Sequence, residues 1–269
     1  MTRPISSPRN ERLRWLRRLL GDRRQRRREG VWVAEGLRLA EEVCAAGGEV
    51  FLWAVEESWE AGDERAAALL AAVTGRGDPV VRVQRGVLRE LATTETPQGV
   101  LAAFAAPRWQ LDDLRSARGP VVLLDRLQDP GNLGTIARVA EGAGAAGLAL
   151  TPGTADPGNP KALRASAGAL LRLPVVRVAS PPQFLESVGL PVLTTSGAGG
   201  TPYDSAPLGR PFVLLLGQEG GGVSTELAAV ADARITIPMA GGLESLNVAS
   251  ACAVILYEAA RQRRAAGAG

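Results

Sequence analysis

The chain has 269 residues, of which 46% are hydrophobic and 22% charged, and it carries a formal net charge of +3. It contains no histidine, which excludes catalytic triads of serine, histidine and aspartate and any histidine-ligated metal. Lys161 is the one lysine, so a Walker-type Gly-Lys-Ser/Thr loop is excluded as well. We therefore expect chemistry without imidazole and without P-loop nucleotide hydrolysis.

The length favours two domains, because a domain typically has roughly 100 to 200 residues. No apolar stretch approaches the ~20 residues of a membrane helix, and the arginine-rich start lacks the apolar core of a secretory signal. Cys44 and Cys252 each lie in an alanine-rich apolar stretch, which is typical of reduced, buried thiols. We expect a cytoplasmic protein without membrane contact.

Charge is concentrated at the start of the chain. Residues 1–30 hold eleven arginines and three acidic residues, a net charge of +8, so the remaining chain carries −5 of the total of +3. Arginine forks match the geometry of phosphate, and a basic arm on an acidic body favours a nucleic-acid partner. A solvated helix face is the alternative interpretation.

Hydrophobic periodicity begins with an amphipathic helix in "NERLRWLRRLL", which has Leu13, Leu16 and Leu20 on one face. Strands are then predicted in "GVWVAEG", "EVFLWAV", "PVVRV" and "QGVLAAFA", and helices in "LRLAEEVCAAGG" and "DERAAALLAAVTG". This alternation predicts a compact α/β domain over residues 1–106. The polar stretch that follows contains a proline and has no sustained period, so we assign residues 107–118 to a linker.

Residues 119–269 again alternate between strands and helices. Strands are predicted in "PVVLLD", "GLALT", "VVRV", "PVLTTS", "PFVLLLG" and "ARITIPM". Helices are predicted from about Asn132, in "NPKALRASAGALLRL", "PPQFLESV" and "STELAAVA", and at the end of the chain. Strands such as "VVLLD" are apolar on both faces, which is typical of a parallel sheet covered by helices.

Glycine-rich polar loops follow three of these strands and precede helices: "LQDPGNLGTIAR" (Leu127–Arg138), "LGQEGGGVS" (Leu216–Ser224) and "PMAGGLESLN" (Pro238–Asn247). In an open parallel sheet, ligands bind outside the carboxyl ends of the strands, so these loops predict a pocket. Their spacing is not Gly-x-Gly-x-x-Gly, which argues against a nicotinamide dinucleotide. Tight turns without a ligand are the alternative.

In the first loop, Asn132 is the predicted helix cap, and Arg138 follows six residues later. An arginine near the start of a helix opposes the helix dipole. An anion held between the helix start and the guanidinium would satisfy both groups, and an RNA phosphate has this chemistry.

These loops, in this order, resemble motifs one, two and three of the SpoU (TrmH) family of S-adenosylmethionine-dependent RNA ribose methyltransferases, in the SPOUT superfamily. "ISSPRNERLRWLRRLLGDRRQRRREGVWVAEGLRLAEE" and "TTETPQGVLAAFA" resemble the substrate-binding domain of the same family. The second motif departs from the usual pattern at Gln218 and Gly221, where asparagine and an acid are commoner. These departures put substrate detail in doubt.

The resemblance implies an α/β fold in which a C-terminal parallel-sheet domain contains a deep trefoil knot, beside a smaller N-terminal α/β RNA-binding domain. It implies that the loop through Gly241 and Gly242 belongs to the knot and holds the cofactor by backbone groups. It further implies a homodimer, whose second subunit covers part of the apolar final helix. No metal is needed.

The resemblance also implies roles for single residues. The catalytic set would be Asn132, Arg138, Glu219, Ser245 and Asn247. The residues lining the S-adenosylmethionine site would be Thr195, Ser196, Gly197, Leu216, Gly217, Ile237, Pro238, Met239 and Leu246. RNA would be bound by Arg12, Arg18, Arg24 and Arg27, with Lys161 and Arg164 near the site; for these last two a solvated surface is an equal alternative. Since a guanidinium stays protonated at neutral pH, we favour Arg138 as a clamp on the target phosphate and hydroxyl over a general base.

The function implied is methylation of a ribose 2′-hydroxyl in structured RNA. Ribosomal RNA is favoured over transfer RNA, because a full separate N-terminal domain resembles the rRNA-modifying branch more closely. A tRNA ribose methyltransferase and a non-catalytic RNA-binding or ribosome-assembly protein on the same scaffold are the alternatives.

Overall fold

The computed structural model describes residues 3–115, 118–197, 199–242 and 244–267. The chain divides into two compact units. The first contains the residues up to Pro107 together with the segment Asp156–Arg172, and the second contains Arg108–Ala155 and the chain from Leu173 onward. The predicted linker, residues 107–118, begins where the chain passes from the first unit into the second. Within it, Leu111–Arg115 forms a short helix with Leu114 buried. Residues 116 and 117 lie outside the described residues.

The first unit is built on a mixed sheet of four strands in the order β1-β4-β2-β3. Strand β4 is antiparallel to both β1 and β2, whereas β2 and β3 are parallel. Its strands are β1 (Val31–Glu35), β2 (Val50–Glu56), β3 (Val80–Val83) and β4 (Val100–Ala105). Its helices are α1 (Glu11–Gly21), α2 (Arg23–Glu29), α3 (Leu37–Ala46), α4 (Glu64–Gly75), α7 (Pro160–Ser166) and α8 (Ala169–Arg172), with a 3₁₀ turn at Leu88–Glu90.

Helix α1 forms where the leucine periodicity predicts it. The Asn10 side chain caps it by accepting a hydrogen bond from the backbone N–H of Arg12. Its buried face consists of Leu13, Leu16, Leu19 and Leu20, which join the core of the first unit. At about 25 cal/mol per Å² of apolar surface removed from water, burial of such a leucine stripe contributes several kcal/mol and docks the helix.

Helix α2 has the sequence RRQRRRE, and the hydrophobic pattern does not predict it. Asp22 caps its start by accepting from the N–H of Arg24, and Gly30 ends it in the left-handed conformation at φ 65°. Arg26 points inward: its guanidinium pairs with Asp156 at 2.7 Å and donates to the carbonyls of Leu19 and Leu20. One arginine of the basic arm is therefore a core residue.

The segment Asp156–Arg172 packs within the first unit, although the sequence patterns place it in the methyltransferase part of the chain. Helix α7 contacts β1, and α8 contacts α3. At Gly158 an added Cβ would lie 2.4 Å from the Trp32 indole nitrogen, so only glycine allows this approach. The domain boundaries predicted from the sequence stay a prediction.

The second unit is built on a parallel sheet of seven strands in the order β7-β6-β5-β10-β8-β11-β9. Its strands are β5 (Val121–Leu124), β6 (Gly147–Leu150), β7 (Val175–Arg177), β8 (Val192–Ser196), β9 (Thr201–Pro202), β10 (Val213–Leu216) and β11 (Ala233–Thr236). Its helices are α5 (Leu111–Arg115), α6 (Pro130–Gly142), α9 (Pro181–Val188), α10 (Thr225–Ala229) and α11 (Val248–Ala265).

The predicted parallel sheet is confirmed. The central strands β5 and β10 are buried along their whole length, as strands covered on both faces must be. Helix α11 packs against α6 and buries Cys252, Ile255 and Leu256, while Tyr257 stays 51% exposed. Among the described residues no helix is long and apolar enough to cross a membrane.

Candidate active site

A cleft of about 570 Å³ lies in the second unit, at the carboxyl ends of the neighbouring strands β10, β8 and β11. Because parallel strands end at the same edge of the sheet, the loops after these three strands converge there. The residues lining the cleft are Thr195, Ser196, Gly197, Leu216, Gly217, Gln218, Glu219, Gly220, Gly222, Val223, Ile235, Ile237, Met239, Glu244, Ser245, Leu246, Asn247, Val248 and Ala251.

Two of the lining glycines are required by close backbone contacts. A Cβ on Gly217 would lie 2.0 Å from the Gly222 carbonyl carbon, and a Cβ on Gly197 would lie 2.8 Å from the carbonyl oxygen of Glu244. Gly217 therefore allows the loop after β10 to fold back on itself, and Gly197 allows the loops after β8 and β11 to touch.

The loop after β5 differs from its prediction at the helix cap. Asp129, not Asn132, caps α6: its side chain accepts from the N–H of Gly131, and Pro130 occupies the first turn, where a missing N–H costs nothing. Arg138 is thus the ninth residue of the helix that begins at Pro130, and the predicted conflict with the helix dipole does not arise. The Asn132 side chain is left available for other partners.

Asn132 joins two residues that line the cleft. Its amide nitrogen donates to the Glu219 carboxylate, and its amide oxygen accepts from Asn247 Nδ2 at 3.3 Å. Asn247 is also the cap of α11, because its Oδ1 accepts from the N–H groups of Ala249 and Ser250. The start of α6 and the loops after β10 and β11 therefore each contribute one side chain to a polar cluster, Asn132–Glu219–Asn247.

The structure brings together most residues of the predicted site. Eight of the nine predicted cofactor-lining residues line the cleft, and Pro238 does not. Of the predicted catalytic residues, Glu219, Ser245 and Asn247 line it. Arg138 does not line it; the side chain is exposed and makes no hydrogen bond or ion pair with any residue that the structure describes.

Several lining residues are absent from the predicted site, among them Gln218, Val223, Glu244 and Ala251. Most lie within the same glycine-rich loops, so loop membership is the signal that could have found them. Ala251 lies one turn into α11, and its lining position follows only from the way that this helix begins beside the cleft.

The predicted RNA-binding residues all belong to the first unit. Arg12, Arg18, Arg24 and Arg27 are exposed, and their side chains make no hydrogen bond or ion pair within the described part of the chain. Lys161 is exposed as well. Arg164 is different: its guanidinium lies 3.2 Å from the buried carboxylate of Glu35 and 2.6 Å from Thr93 Oγ1. Its charge is thus largely neutralised within the unit.

Two further observations concern the thiol of Cys252 and the side chains that could bind a metal ion. Burial raises the pKa of the Cys252 thiol on α11 to about 12, so this cysteine is inert. Within the described ranges, with their gaps at residues 116–117, 198 and 243, no group of histidine, cysteine, aspartate or glutamate side chains could hold a metal ion.

Comparison with known proteins assigns both parts of the chain. Residues 119–257 match the SpoU rRNA Methylase family, and residues 10–102 match the MRM3-like substrate binding domain. The first match covers the parallel sheet and all three loops of the cleft. The chain therefore belongs to the SpoU rRNA Methylase family.

Relatives and solved structures agree with this assignment over nearly the whole chain. The 23S rRNA (guanosine(2553)-2′-O)-methyltransferase RlmP of Bacillus subtilis is 33% identical, covering 94% of this chain and 97% of its own. The 23S rRNA (uridine(2479)-2′-O)-methyltransferase of Streptomyces viridochromogenes is 34% identical, covering 95% and 91%. The crystal structure of the SpoU methyltransferase AviRb from the same organism, in complex with the cofactor AdoMet, matches with a TM-score of 0.84 and 31% identity, covering 95% of this chain and 100% of that one.

Proposed function

We propose that this protein transfers a methyl group from S-adenosylmethionine to a ribose 2′-hydroxyl of ribosomal RNA. The observation that carries the proposal is the Asn132–Glu219–Asn247 cluster beside the cleft, in a chain that is similar over nearly its full length to two 23S rRNA 2′-O-methyltransferases. A full-length match supports rRNA over tRNA as substrate, because the substrate-binding domain is part of the matched length.

The cleft has the size and chemistry for this cofactor. Its volume of about 570 Å³ is within the usual range for small-molecule sites. Leu216, Ile237, Met239 and Leu246 offer apolar walls for an adenine ring, and the close backbone approach at Gly197 would let main-chain groups bind polar edges. When bound, S-adenosylmethionine supplies an electrophilic methyl group, so the protein's task is alignment.

Alignment is the role that we assign to the polar cluster. Asn132 fixes the Glu219 carboxylate and the Asn247 side chain relative to each other, so that acceptor and donor groups face the cleft in a set geometry. A ribose hydroxyl held by such groups is placed for in-line displacement, and positioning of this kind accounts for much of the rate of a two-substrate reaction. Ser245, on the loop after β11, adds a hydroxyl to the same wall.

Arg138 is proposed as a clamp on the target phosphate and hydroxyl. Its exposed guanidinium has no partner among the described residues, which leaves its donors for a ligand. The proton of the hydroxyl passes to phosphate or water, because a guanidinium cannot accept it at neutral pH. A pH–rate profile of Arg138→Lys tests this role: retained activity with a shifted lower limb would favour a general base instead.

RNA binding is assigned to four exposed arginines of α1 and α2. Arg12, Arg18, Arg24 and Arg27 are exposed, and acidic partners within the described part of the chain do not neutralise them. Arginine forks of this kind bind phosphates of any sequence, so they supply affinity and orientation rather than base specificity.

Three finer features are also proposed. The order β5-β10-β8-β11 and the family resemblance support a deep trefoil knot, which an experimental structure traced through residues 192–248 would test.

The exposed Tyr257 beside half-buried Val254 on α11 supports a homodimer, to be measured by analytical ultracentrifugation. The reduced thiols of Cys44 and Cys252 support a cytoplasmic location, to be tested by fractionation.

The function is tested by incubating the purified protein with methyl-labelled S-adenosylmethionine and either unmodified ribosomal RNA or unmodified transfer RNA. We expect label in ribosomal RNA with the wild type, and labelling that is slower by about 100-fold or more with Arg138→Ala. Label in transfer RNA alone would select the tRNA methyltransferase alternative. RNA binding without label, together with no cofactor binding by calorimetry, would identify a non-catalytic scaffold.

A further inference from the structure

Asp125 is a buried carboxylate directly after β5, and the proposed chemistry does not use it. The residue is 3% exposed. Its Oδ2 accepts a hydrogen bond of 2.7 Å from the backbone N–H of Ser224, and its own N–H donates to the carbonyl of Leu216 at 2.8 Å. One residue therefore binds both the first and the last residue of the loop Leu216–Ser224.

This loop carries Glu219, which contacts Asn132 and lines the cleft. Between its ends the loop is a tight ring: Gln218 and Gly222 exchange backbone hydrogen bonds of 3.2 and 2.9 Å. Leu216, at one end of the loop, belongs to β10 and is paired with Leu124 in the sheet, so the sheet holds this end together with the Asp125 N–H. At the other end, the Asp125 side chain holds Ser224.

Asp125 is itself held in place. The Thr151 hydroxyl donates to its Oδ1 at 3.2 Å, and the same hydroxyl accepts from the N–H of Arg126 at 3.0 Å. Arg126 has φ 55°, a left-handed conformation that costs a residue with a side chain about 1 kcal/mol or more. The strained backbone conformation thus lies at the residue directly after Asp125.

We propose that Asp125 is a positioning residue: by binding both ends of the loop Leu216–Ser224, it sets the place of Glu219 and of the cleft wall. For the effect on turnover, this inference rests on the proposed methyl transfer. Arg126 Nε also lies 3.5 Å from Asp125 Oδ1, but the Arg126 side chain is 44% exposed, and exposed partners of this kind contribute little. We therefore assign the role to hydrogen-bond acceptance by Asp125, and we expect a defect confined to this loop when the acceptor is removed.

The first test replaces the carboxylate. Asp125→Ala leaves the Ser224 N–H without its acceptor, so we expect faster amide hydrogen exchange in peptides spanning residues 217–224. We also expect a fall in kcat of about 100-fold, the size of effect that a displacement of about 1 Å can cause. RNA affinity stays at the wild-type value, because the proposed RNA-binding arginines belong to the other unit.

Asp125→Asn is the conservative variant. Its amide oxygen can accept from the Ser224 N–H, and its amide nitrogen can donate to the Thr151 hydroxyl. We expect exchange in the loop close to that of the wild type and kcat within about tenfold of it, the worth of one hydrogen bond. A role for the charge itself predicts instead that the asparagine variant is as inactive as the alanine variant, which would overturn the proposal.

A second pair of variants perturbs the same contact from the loop side, in case Asp125→Ala does not fold. Ser224 has φ −58°, which proline also adopts, so Ser224→Pro removes the N–H and leaves the backbone angle unchanged. Ser224→Ala keeps the N–H and is the control. We expect faster exchange over residues 217–223 and a lower kcat for the proline variant only.

The exchange measurement separates this inference from the proposed function. Wild-type protein that methylates no RNA would refute the methyl transfer, whereas exchange in the loop would still report on Asp125. Unchanged exchange in both Asp125→Ala and Ser224→Pro would overturn the positioning role. So would faster exchange throughout the second unit, because the carboxylate would then stabilise the fold in general.

Discussion

Asn132 and Glu219 lie 87 positions apart in the chain, and the side-chain amide of Asn132 donates a hydrogen bond to the Glu219 carboxylate. Asn132 is in the first turns of α6, after β5, and Glu219 is in the loop after β10, the neighbouring strand. The parallel pairing of these strands brings the two loops to one edge. The contact therefore joins the first and second sequence motifs at the cleft.

The donor and the acceptor of this hydrogen bond can be exchanged by substitution. Asn132→Asp places two carboxylates together, so we expect kcat/KM to fall by about 100-fold as the like charges separate the loops. Adding Glu219→Gln restores a donor and an acceptor with reversed roles. The double variant should recover about tenfold in kcat/KM over Asn132→Asp, a coupling of ordinary size for residues in contact. No recovery would show that the Glu219 charge, and not the hydrogen bond, is required.

Arg138→Ala should separate activity from stability. The guanidinium is exposed and unpartnered within the described residues, so its loss should change the free energy of unfolding by no more than about 0.5 kcal/mol. Loss of a donor from the transition state should lower kcat/KM by about 100- to 1,000-fold. Arg210→Ala is the control: Arg210 is also exposed, but it precedes β10 at the opposite, amino end of the sheet. Comparable losses in both variants would contradict a specific role.

Arg26 should behave unlike the other arginines of the arm. Its side chain and that of Asp156 are 4% and 8% exposed, and they pair at 2.7 Å. Arg26→Ala breaks this buried ion pair and removes the donor to the carbonyls of Leu19 and Leu20, so we expect a loss of about 3 to 5 kcal/mol in the free energy of unfolding, measured with urea. Arg24→Ala, on the same helix but exposed, should leave it unchanged. Equal stability of the two variants would contradict a structural role for Arg26.

The exposed arginines should determine the salt dependence of RNA binding. We expect Arg24→Ala combined with Arg27→Ala to weaken binding to every RNA alike. The slope of log Kd against log salt should decrease by about 1 for each phosphate-binding arginine that is removed. Arg65→Ala is the matched control in the same unit, because this exposed arginine is already paired with Glu41 at 2.5 Å. A slope that is the same for the wild type and both variants would show that α2 does not contact phosphate.

The two cysteines should differ in reactivity. Burial raises the pKa of Cys252 to about 12, so at pH 8 only about one thiol in 10⁴ is ionised, and the side chain is also inaccessible. Cys44 is half-buried. We expect a disulfide reagent to titrate one thiol in the native wild type, none in native Cys44→Ser, and two in denatured wild type. Reaction of Cys252 in native protein would reveal opening of α11.

Hydrophobic patterns predict the elements that are held by apolar faces. The leucine stripe of α1 and the apolar strand β10 are examples, because burial dictates both their position and their period. Hydrophobic patterns do not predict helix α2, because its sequence RRQRRRE has no apolar stripe. The Asp22 cap and the burial of Arg26 hold this helix in place. Strand β9, with two residues, is too short for a period.

Long-range polar contacts could not be predicted from one sequence. The pair Arg26–Asp156 joins residues 130 positions apart, and neither residue differs locally from its exposed neighbours. The sequence pattern favours Asn132 as the cap of α6 because asparagine is common at that position, but Asp129 followed by Pro130 caps the helix. The cleft itself is predictable, because its residues lie in loops that follow adjacent parallel strands.

The most direct test of ribose methylation maps the methyl group itself. Unmodified 23S ribosomal RNA is incubated with the protein and methyl-labelled S-adenosylmethionine, then hydrolysed in alkali, which spares the bond after a 2′-O-methylated ribose. We expect one alkali-resistant labelled dinucleotide, formed at similar rates by the wild type and Arg210→Ala and about 100-fold or more slowly by Arg138→Ala. Label on a base, or no label in an RNA that the protein binds together with the cofactor, would contradict the proposed function.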